Sequence, residues 1–165
     1  MNYTWNHIAD CLRHEVAEYG ALFGFYEEQQ KSLFAHNADA VLRLSGEIEV
    51  QVRTLHECRA QREATVAGFA SANEQPMNAT IRSLLPVIPA DARPLIEALI
   101  GEINVLIHRV RRISRHNHML LSRTVELRQQ MLRQLLPETF SQTYSPKGRV
   151  SVTMSSPMAA LRSCG

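Results

Sequence analysis

The sequence predicts an all-α fold: an elongated antiparallel coiled-coil hairpin of two long helices plus one short helix, with a flexible C-terminal tail. Two observations predict the long helices. No proline occurs before Pro76, and apolar residues recur in that stretch at intervals of three and four, the spacing of an amphipathic helix. A second segment with the same spacing leads up to Pro137. The helical hairpin domain therefore comprises residues 1–137 and the tail residues 138–165.

The first arm of the hairpin is predicted to be one helix over residues 3–70. An apolar series with a spacing of seven runs through it and shifts by one residue near its middle: Trp5, Leu12, Tyr19, Tyr26, Leu33, Ala40, then Val41, Ile48 and Leu55. A straight helix drifts about 20° per heptad, so we interpret the shift as drift rather than as a break. Whether the helix continues through Gly46 is left open, because glycine costs up to about 1 kcal/mol inside a helix.

The second arm is predicted to begin at Asp91, which can cap a helix, and to end near Leu136, before Pro137. Its apolar seam alternates steps of four and three: Leu99, Ile103, Leu106, Val110, Ile113, Asn117, Leu120, Thr124, Leu127 and Met131. Asn117 occupies a position where an apolar residue is expected. A buried Asn in a coiled coil fixes the register of the helices, and direct contact with a bound partner is the alternative role.

Between the arms, residues 71–76 are rich in turn formers, and Asn78 or Thr80 can cap a short helix limited by Pro86 and Pro89. Charge differs between the two halves of the chain. Residues 1–75 carry 11 acidic and 6 basic side chains, and residues 76–165 carry 5 acidic and 12 basic ones. We therefore expect the acidic first arm to pair with the basic second arm.

The tail is rich in Ser, Thr, Pro and Gly, a composition that buries too little apolar area to offset the entropy of ordering. Met154, Met158 and Leu161 nevertheless stand at positions i, i+4 and i+7. This spacing indicates either an amphipathic helix that orders on a partner or an incidental apolar cluster.

The sequence contains no phosphate loop, nucleophile elbow, dinucleotide fingerprint or paired-cysteine zinc spacing, so we expect neither enzymatic activity nor a cofactor. We expect no metal site, because the spacing of His108, His116 and His118 does not place them on one helical face. Seven arginines between Arg109 and Arg133 make a nucleic-acid binder the rival class, but they wrap several sides of the helix without interleaved aromatics.

The first residues lack a basic region followed by an apolar one, and no apolar run approaches the roughly 18 residues of a membrane span. We therefore expect a cytoplasmic protein that is not inserted into a membrane.

Residues 116–121, His-Asn-His-Met-Leu-Leu, resemble a segment late in the last helix of the FlgN family of flagellar export chaperones. The resemblance continues to Pro137 and into residues 143–148, Thr-Tyr-Ser-Pro-Lys-Gly, although Pro146 departs from the usual small or polar residue. The chain is thus similar to that family over most of its length, with its specific motifs in residues 116–148.

The resemblance implies a cytosolic chaperone of type III flagellar export. Such a protein would bind the hook-filament junction proteins FlgK and FlgL, prevent their premature aggregation and deliver them to the export gate protein FlhA.

By the same resemblance, Met154, Met158 and Leu161 would bind the substrate, and Tyr144 with Gly148 would dock on the gate. Tyr144 packing against the helix end is the alternative. Asn117, Leu120 and Leu121 would set helix register or contact a partner. A generic coiled-coil adaptor and an Arg-rich nucleic-acid binder are the alternative functions.

Overall fold

The computed structural model of the chain describes residues 4–135, 140–144 and 150–154. In order, it contains α1 (Trp5–Phe34), α2 (Ala38–Ala72), α3 (Ile81–Leu84), a 3-10 turn (Leu85–Val87), α4 (Arg93–Leu135), β1 (Phe140–Tyr144) and β2 (Val150–Met154). The chain divides into two compact units, residues 1–118 and 119–165, which are described separately. The helical fold class is confirmed for residues 4–135.

The first arm reverses direction, so the predicted single helix over residues 3–70 is wrong. α1 ends at Phe34 and α2 begins at Ala38. His36, between them, has a φ of 54°, the left-handed conformation that tight reversals use. The side chain of Asn37 then caps α2 by accepting a hydrogen bond from the Ala40 N–H at 3.1 Å. The described residues thus contain three long helices instead of the predicted two, and α2 runs through Gly46 without a break.

α1 and α2 lie antiparallel, because residues near the start of α1 meet residues near the end of α2. Cys11 Sγ lies 3.6 Å from Thr65 Oγ1, close to the open end of the pair. Near the turn, Gln29 Nε2 donates to Ser45 Oγ at 3.1 Å. The two halves of the predicted first arm therefore cover much of each other's apolar surface.

The predicted heptad positions form the core of the first unit even though the chain reverses. Buried members of the series are Leu12, Tyr19, Leu33, Val41, Ile48 and Leu55, and half-buried members are Trp5, Tyr26 and Ala40. The first part of α4 adds Ile96, Leu99, Ile103 and Val110 to the same core. The predicted positions are buried despite the reversal because each helix turns its own apolar stripe toward the core.

The connection between α2 and α4 contains the predicted short helix. Thr80 caps α3 by accepting a hydrogen bond from the Ser83 N–H at 3.2 Å. Leu84 and Ile88 from this connection are fully buried in the core. α4 then begins at Arg93, two residues after the predicted start at Asp91, and ends at Leu135.

The second unit contains the end of α4 and a β-hairpin that was not predicted. β1 and β2 are antiparallel, with Phe140 paired to Met154 and Tyr144 paired to Val150. Val150 to Met154 alternate apolar and hydroxyl residues, which is a strand pattern. The expected flexibility of the tail over residues 138–165 stays a prediction, since residues 138–139, 145–149 and 155–165 lie outside the described residues.

Candidate functional site

The apolar seam of α4 changes from buried to exposed along the helix. Leu99, Ile103 and Val110 are buried in the first unit. Later members of the same seam, Leu127 and Met131, are 56% and 60% exposed. A coiled-coil seam packs against a partner at every turn, so the last part of α4 presents an apolar stripe that is open to solvent.

A second row of apolar side chains widens this stripe. Leu121, Val125, Leu132 and Leu135 are all at least 40% exposed. At roughly 100° per residue, the two rows together cover an arc of roughly 160° around the helix axis. We call this surface the α4 apolar face; it consists of Leu120, Leu121, Val125, Leu127, Met131, Leu132 and Leu135.

The α4 apolar face has the width of a surface that packs in a core. A helix on the surface of a globular protein turns an apolar stripe of about 100° inward and keeps the rest of its surface polar. Contiguous exposed apolar patches on soluble proteins mark binding sites. Arg128 falls inside the arc and is exposed, so a partner that covers this face must also meet one guanidinium group.

Asn117 marks the last buried seam position of the first unit and lies in a polar layer that joins three helices. Its Nδ2 donates to the main-chain oxygen of Tyr26 at 2.8 Å and to Gln29 Oε1 at 3.1 Å. Gln29 in turn donates to Ser45 on α2. Asn117 is only 3% exposed, so it occupies a core position. Its role in fixing the register stays a prediction.

The Oδ1 atom of Asn117 is buried and has no hydrogen-bond partner among the described residues. A buried acceptor without a partner costs about 1–3 kcal/mol. The polar layer is therefore held in the core at some cost in stability.

The other predicted site residues all belong to the second unit. Leu120 is half-buried and Leu121 is exposed, both on the α4 apolar face. Tyr144 ends β1 and Met154 ends β2. The predicted tail helix that carries Met158 and Leu161 falls on residues 155–165, so it stays a prediction. Gly148, Met158 and Leu161 lie outside the described residues.

The opposite charges of the two halves do not pair in the described part of the chain, so that prediction is wrong there. Ion pairs between described side chains all lie within residues 10–63. Exposed arginines of α4 in the first unit are Arg109, Arg111, Arg112 and Arg115. These arginines remain available to partners instead of being used by the fold.

A buried ion pair between α1 and α2 was not predicted. Arg62 Nη1 donates to Glu15 Oε2 at 2.6 Å, and the Glu15 side chain is only 1% exposed. The signal was present in the sequence, since Glu15 stands three residues after Leu12 and four before Tyr19, on the apolar stripe. A carboxylate at such a position requires a cation from a neighbouring element.

Cys58 lies close to the same ion pair. Burial raises the pKa of the Cys58 thiol, and the negative charges of Glu18 and Glu15 raise the pKa further. A thiol with a raised pKa stays protonated at neutral pH and is a poor nucleophile. Cys58 therefore acts as a packing residue of α2.

The described residues contain no group of three or more His, Cys, Asp or Glu side chains placed to bind a metal ion. His108, His116 and His118 are all exposed on α4. Within the described ranges, no helix combines the length and apolar character needed to cross a membrane.

Comparison with known proteins gives one match. The model of the protein family FlgN, described as "FlgN protein", matches residues 1–151. Searches of curated proteins and of solved structures find no significant match. The matched region contains all four helices and therefore includes the whole α4 apolar face.

Proposed function

Because the chain belongs to the FlgN family of flagellar export chaperones, we propose that it binds the hook-filament junction proteins FlgK and FlgL in the cytoplasm. It prevents their premature aggregation and delivers them to the gate of the flagellar type III export apparatus. It acts by binding alone, as a protein without enzymatic activity. The observation that supports this proposal is the α4 apolar face.

The α4 apolar face suits an amphipathic helix of the client. Residues 120–135 extend over roughly 22 Å at about 1.5 Å per residue, which corresponds to about four helical turns. A client helix that lies along these turns completes the coiled-coil seam and covers its own apolar stripe at the same time. Covering that stripe removes the surface through which unassembled clients would aggregate.

The energetics favour a moderate affinity. Complete burial of one large apolar side chain contributes about 1.5–3 kcal/mol, and the side chains of the face are already partly covered. Association costs at least about 4 kcal/mol of translational and rotational freedom. Capture followed by release at the gate requires a balance of this kind.

The tail completes the proposal. Met154, Met158 and Leu161 extend the client-binding surface beyond α4, and Tyr144 with Gly148 docks on FlhA. Tyr144 and Gly148 belong to residues 143–148, which resemble the family motif, whereas Met154, Met158 and Leu161 have the spacing of an amphipathic helix in the tail. Ordering of the tail on the client would further moderate the affinity.

The test places two charges on the α4 apolar face. The double variant Leu127→Asp and Met131→Asp should weaken binding of the junction proteins of the same organism by about tenfold or more, because two carboxylates lose water on binding. Ser122→Asp with Gln129→Asp is the matched control, since both positions are exposed on the opposite side of the helix. Calorimetric titration measures the affinities, and circular dichroism checks helicity.

Equal affinities of the two double variants for the junction proteins would contradict the proposal. The rival functions give different results in the same experiment. An adaptor unrelated to export would not bind the junction proteins at all. A nucleic-acid binder would lose RNA or DNA binding steeply with added salt and would be insensitive to Leu127→Asp.

A further inference from the structure

A groove of about 910 Å³ lies in the first unit, between α1, α2, the segment around α3 and α4. Its floor is apolar, and the half-buried Ile81, Ile100 and Ile107 supply the part of it that a ligand can cover. The buried lining residues are Leu12, Tyr19, Val66, Ile103 and Val110. This groove belongs to a different unit from the α4 apolar face. None of the functional assignments above involves it.

Four arginines and two glutamates line the groove, so the net charge of its lining is positive. Arg59 on α2, Arg82 on α3 and Arg111 on α4 line the groove, and all three are exposed. None of them forms an ion pair with another described residue. Arg62 also lines the groove, but it is held by Glu15 at 2.6 Å and by Glu63 at 3.8 Å. Three different elements thus each direct an unpaired guanidinium to the same opening.

The dimensions of the groove fit a short helix. Along α4 the lining residues extend from Ile100 to Arg111, a distance of roughly 16 Å or about three helical turns. A peptide helix could therefore lie along the groove with its apolar side on the floor.

We propose that this groove binds an acidic amphipathic helix of a second protein. The apolar side of that helix packs on the floor, and its flanking carboxylates accept hydrogen bonds from Arg59, Arg82 and Arg111. Arginine and carboxylate form strong, geometrically specific pairs of this type. The inference does not rest on the client-binding role of the α4 apolar face.

The charge of the C-terminal tail excludes the tail as the occupant of the groove. Residues 138–165 of the chain itself contain three basic side chains and one acidic side chain, so the tail has the same sign as the lining of the groove. A nucleic-acid backbone would meet the arginines but leave the apolar floor uncovered. An acidic amphipathic helix covers the apolar floor and also pairs with the arginines.

The test uses the full-length chain and a fluorescein-labelled helical peptide of about 14 residues, with Leu at i, i+3, i+4 and i+7 and Glu on both flanks. A matched peptide carries Lys in place of Glu. The groove variant is Arg59→Glu with Arg111→Glu. The control variant is Arg53→Glu with Arg109→Glu, which changes the net charge equally at exposed positions of the same two helices outside the groove.

Fluorescence anisotropy should show that the groove variant binds the Glu peptide about tenfold more weakly than wild type, since attraction becomes repulsion at two sites. The control variant should change the affinity by less than about threefold, and the Lys peptide should not bind. The variant Leu127→Asp with Met131→Asp should bind the Glu peptide with the affinity of wild type. The experiment therefore distinguishes failure of the groove proposal from failure of the client-binding proposal.

Four results would overturn the inference. The Glu peptide could bind both Arg variants equally, or the Lys peptide could bind as tightly as the Glu peptide. A single-stranded oligonucleotide that displaces the peptide with the same dependence on Arg59 and Arg111 would assign the groove to nucleic acid. Self-association of wild type in gel filtration, lost in the groove variant, would assign it to a second copy of the chain.

Discussion

Replacement of Arg62 by Met should destabilise the helical core strongly, because it leaves the Glu15 carboxylate without its cation. Glu15 is 1% exposed and accepts a hydrogen bond from Arg62 at 2.6 Å. Removing one partner of a buried ion pair costs about 3–5 kcal/mol. The Arg62 side chain remains 19% exposed, so water reaches part of the pair. We therefore expect the lower end of that range, about 3 kcal/mol.

In a chain of this size, 1 kcal/mol corresponds to a change in Tm of about 2–4 °C. Arg62→Met should thus lower Tm by about 6–12 °C in thermal unfolding followed by circular dichroism. Arg53→Met is the matched control, because Arg53 is exposed on the same helix. Its free energy of unfolding should stay within about 0.5 kcal/mol of the wild-type value.

The double variant Glu15→Leu with Arg62→Met separates charge from packing. Exchange of a complete buried ion pair for apolar residues is often neutral or stabilising, so this variant should recover most of the lost stability. If it is as unstable as Arg62→Met alone, the loss comes from the packing of the Arg62 stem. A loss of less than about 1 kcal/mol in Arg62→Met would also refute the reasoning.

Two further predictions concern Asn117 and the tail. Asn117→Leu should leave the free energy of unfolding within about 1 kcal/mol of wild type but broaden the amide NMR spectrum as helix register loosens; a single sharp set of signals would remove the register role. Tyr144→Ala should retain binding of the junction proteins and weaken binding to FlhA in a calorimetric titration, whereas deletion of residues 138–165 should weaken both; an unchanged affinity for FlhA would exclude Tyr144 from docking.

The long helix α4 could be predicted almost completely from the sequence, and the first arm could not. Pro94 and Pro137 limit α4, which the structure places at Arg93–Leu135. In the first arm, the one-residue shift of the heptads between Ala40 and Val41 marks the start of a new helix instead of drift. Asn37 followed by Asp39 was the local signal, since Asn caps helices and Asp favours the first turn.

The exposed part of the seam could not be predicted, for a physical reason. Leu127 and Met131 continue the spacing of Leu99 and Ile103 without change, yet the first pair is exposed and the second is buried. Periodicity shows that a side chain belongs to an apolar stripe. It does not show whether the residues that cover the stripe belong to the same chain.

Net charge was also a poor guide to contacts. The acidic excess of residues 1–75 and the basic excess of the remainder suggested pairing, but the described α4 arginines form no ion pair with α1 or α2. Charge counted along a sequence carries no information about which helical face each side chain occupies. Glu15 shows what the helical face does tell, because its position on the apolar stripe was a signal of burial that the prediction did not use.

Because α4 is uninterrupted, one helix contributes both to the buried core and to an exposed apolar surface. Forming the first turn of a helix is the costly step, and later turns add to it at little cost. The turns of α4 that pack in the core act as the helix nucleus, and residues 119–135 extend a helix that is already formed. Substitutions in those residues can therefore change the exposed apolar surface while the folding of the core stays unchanged.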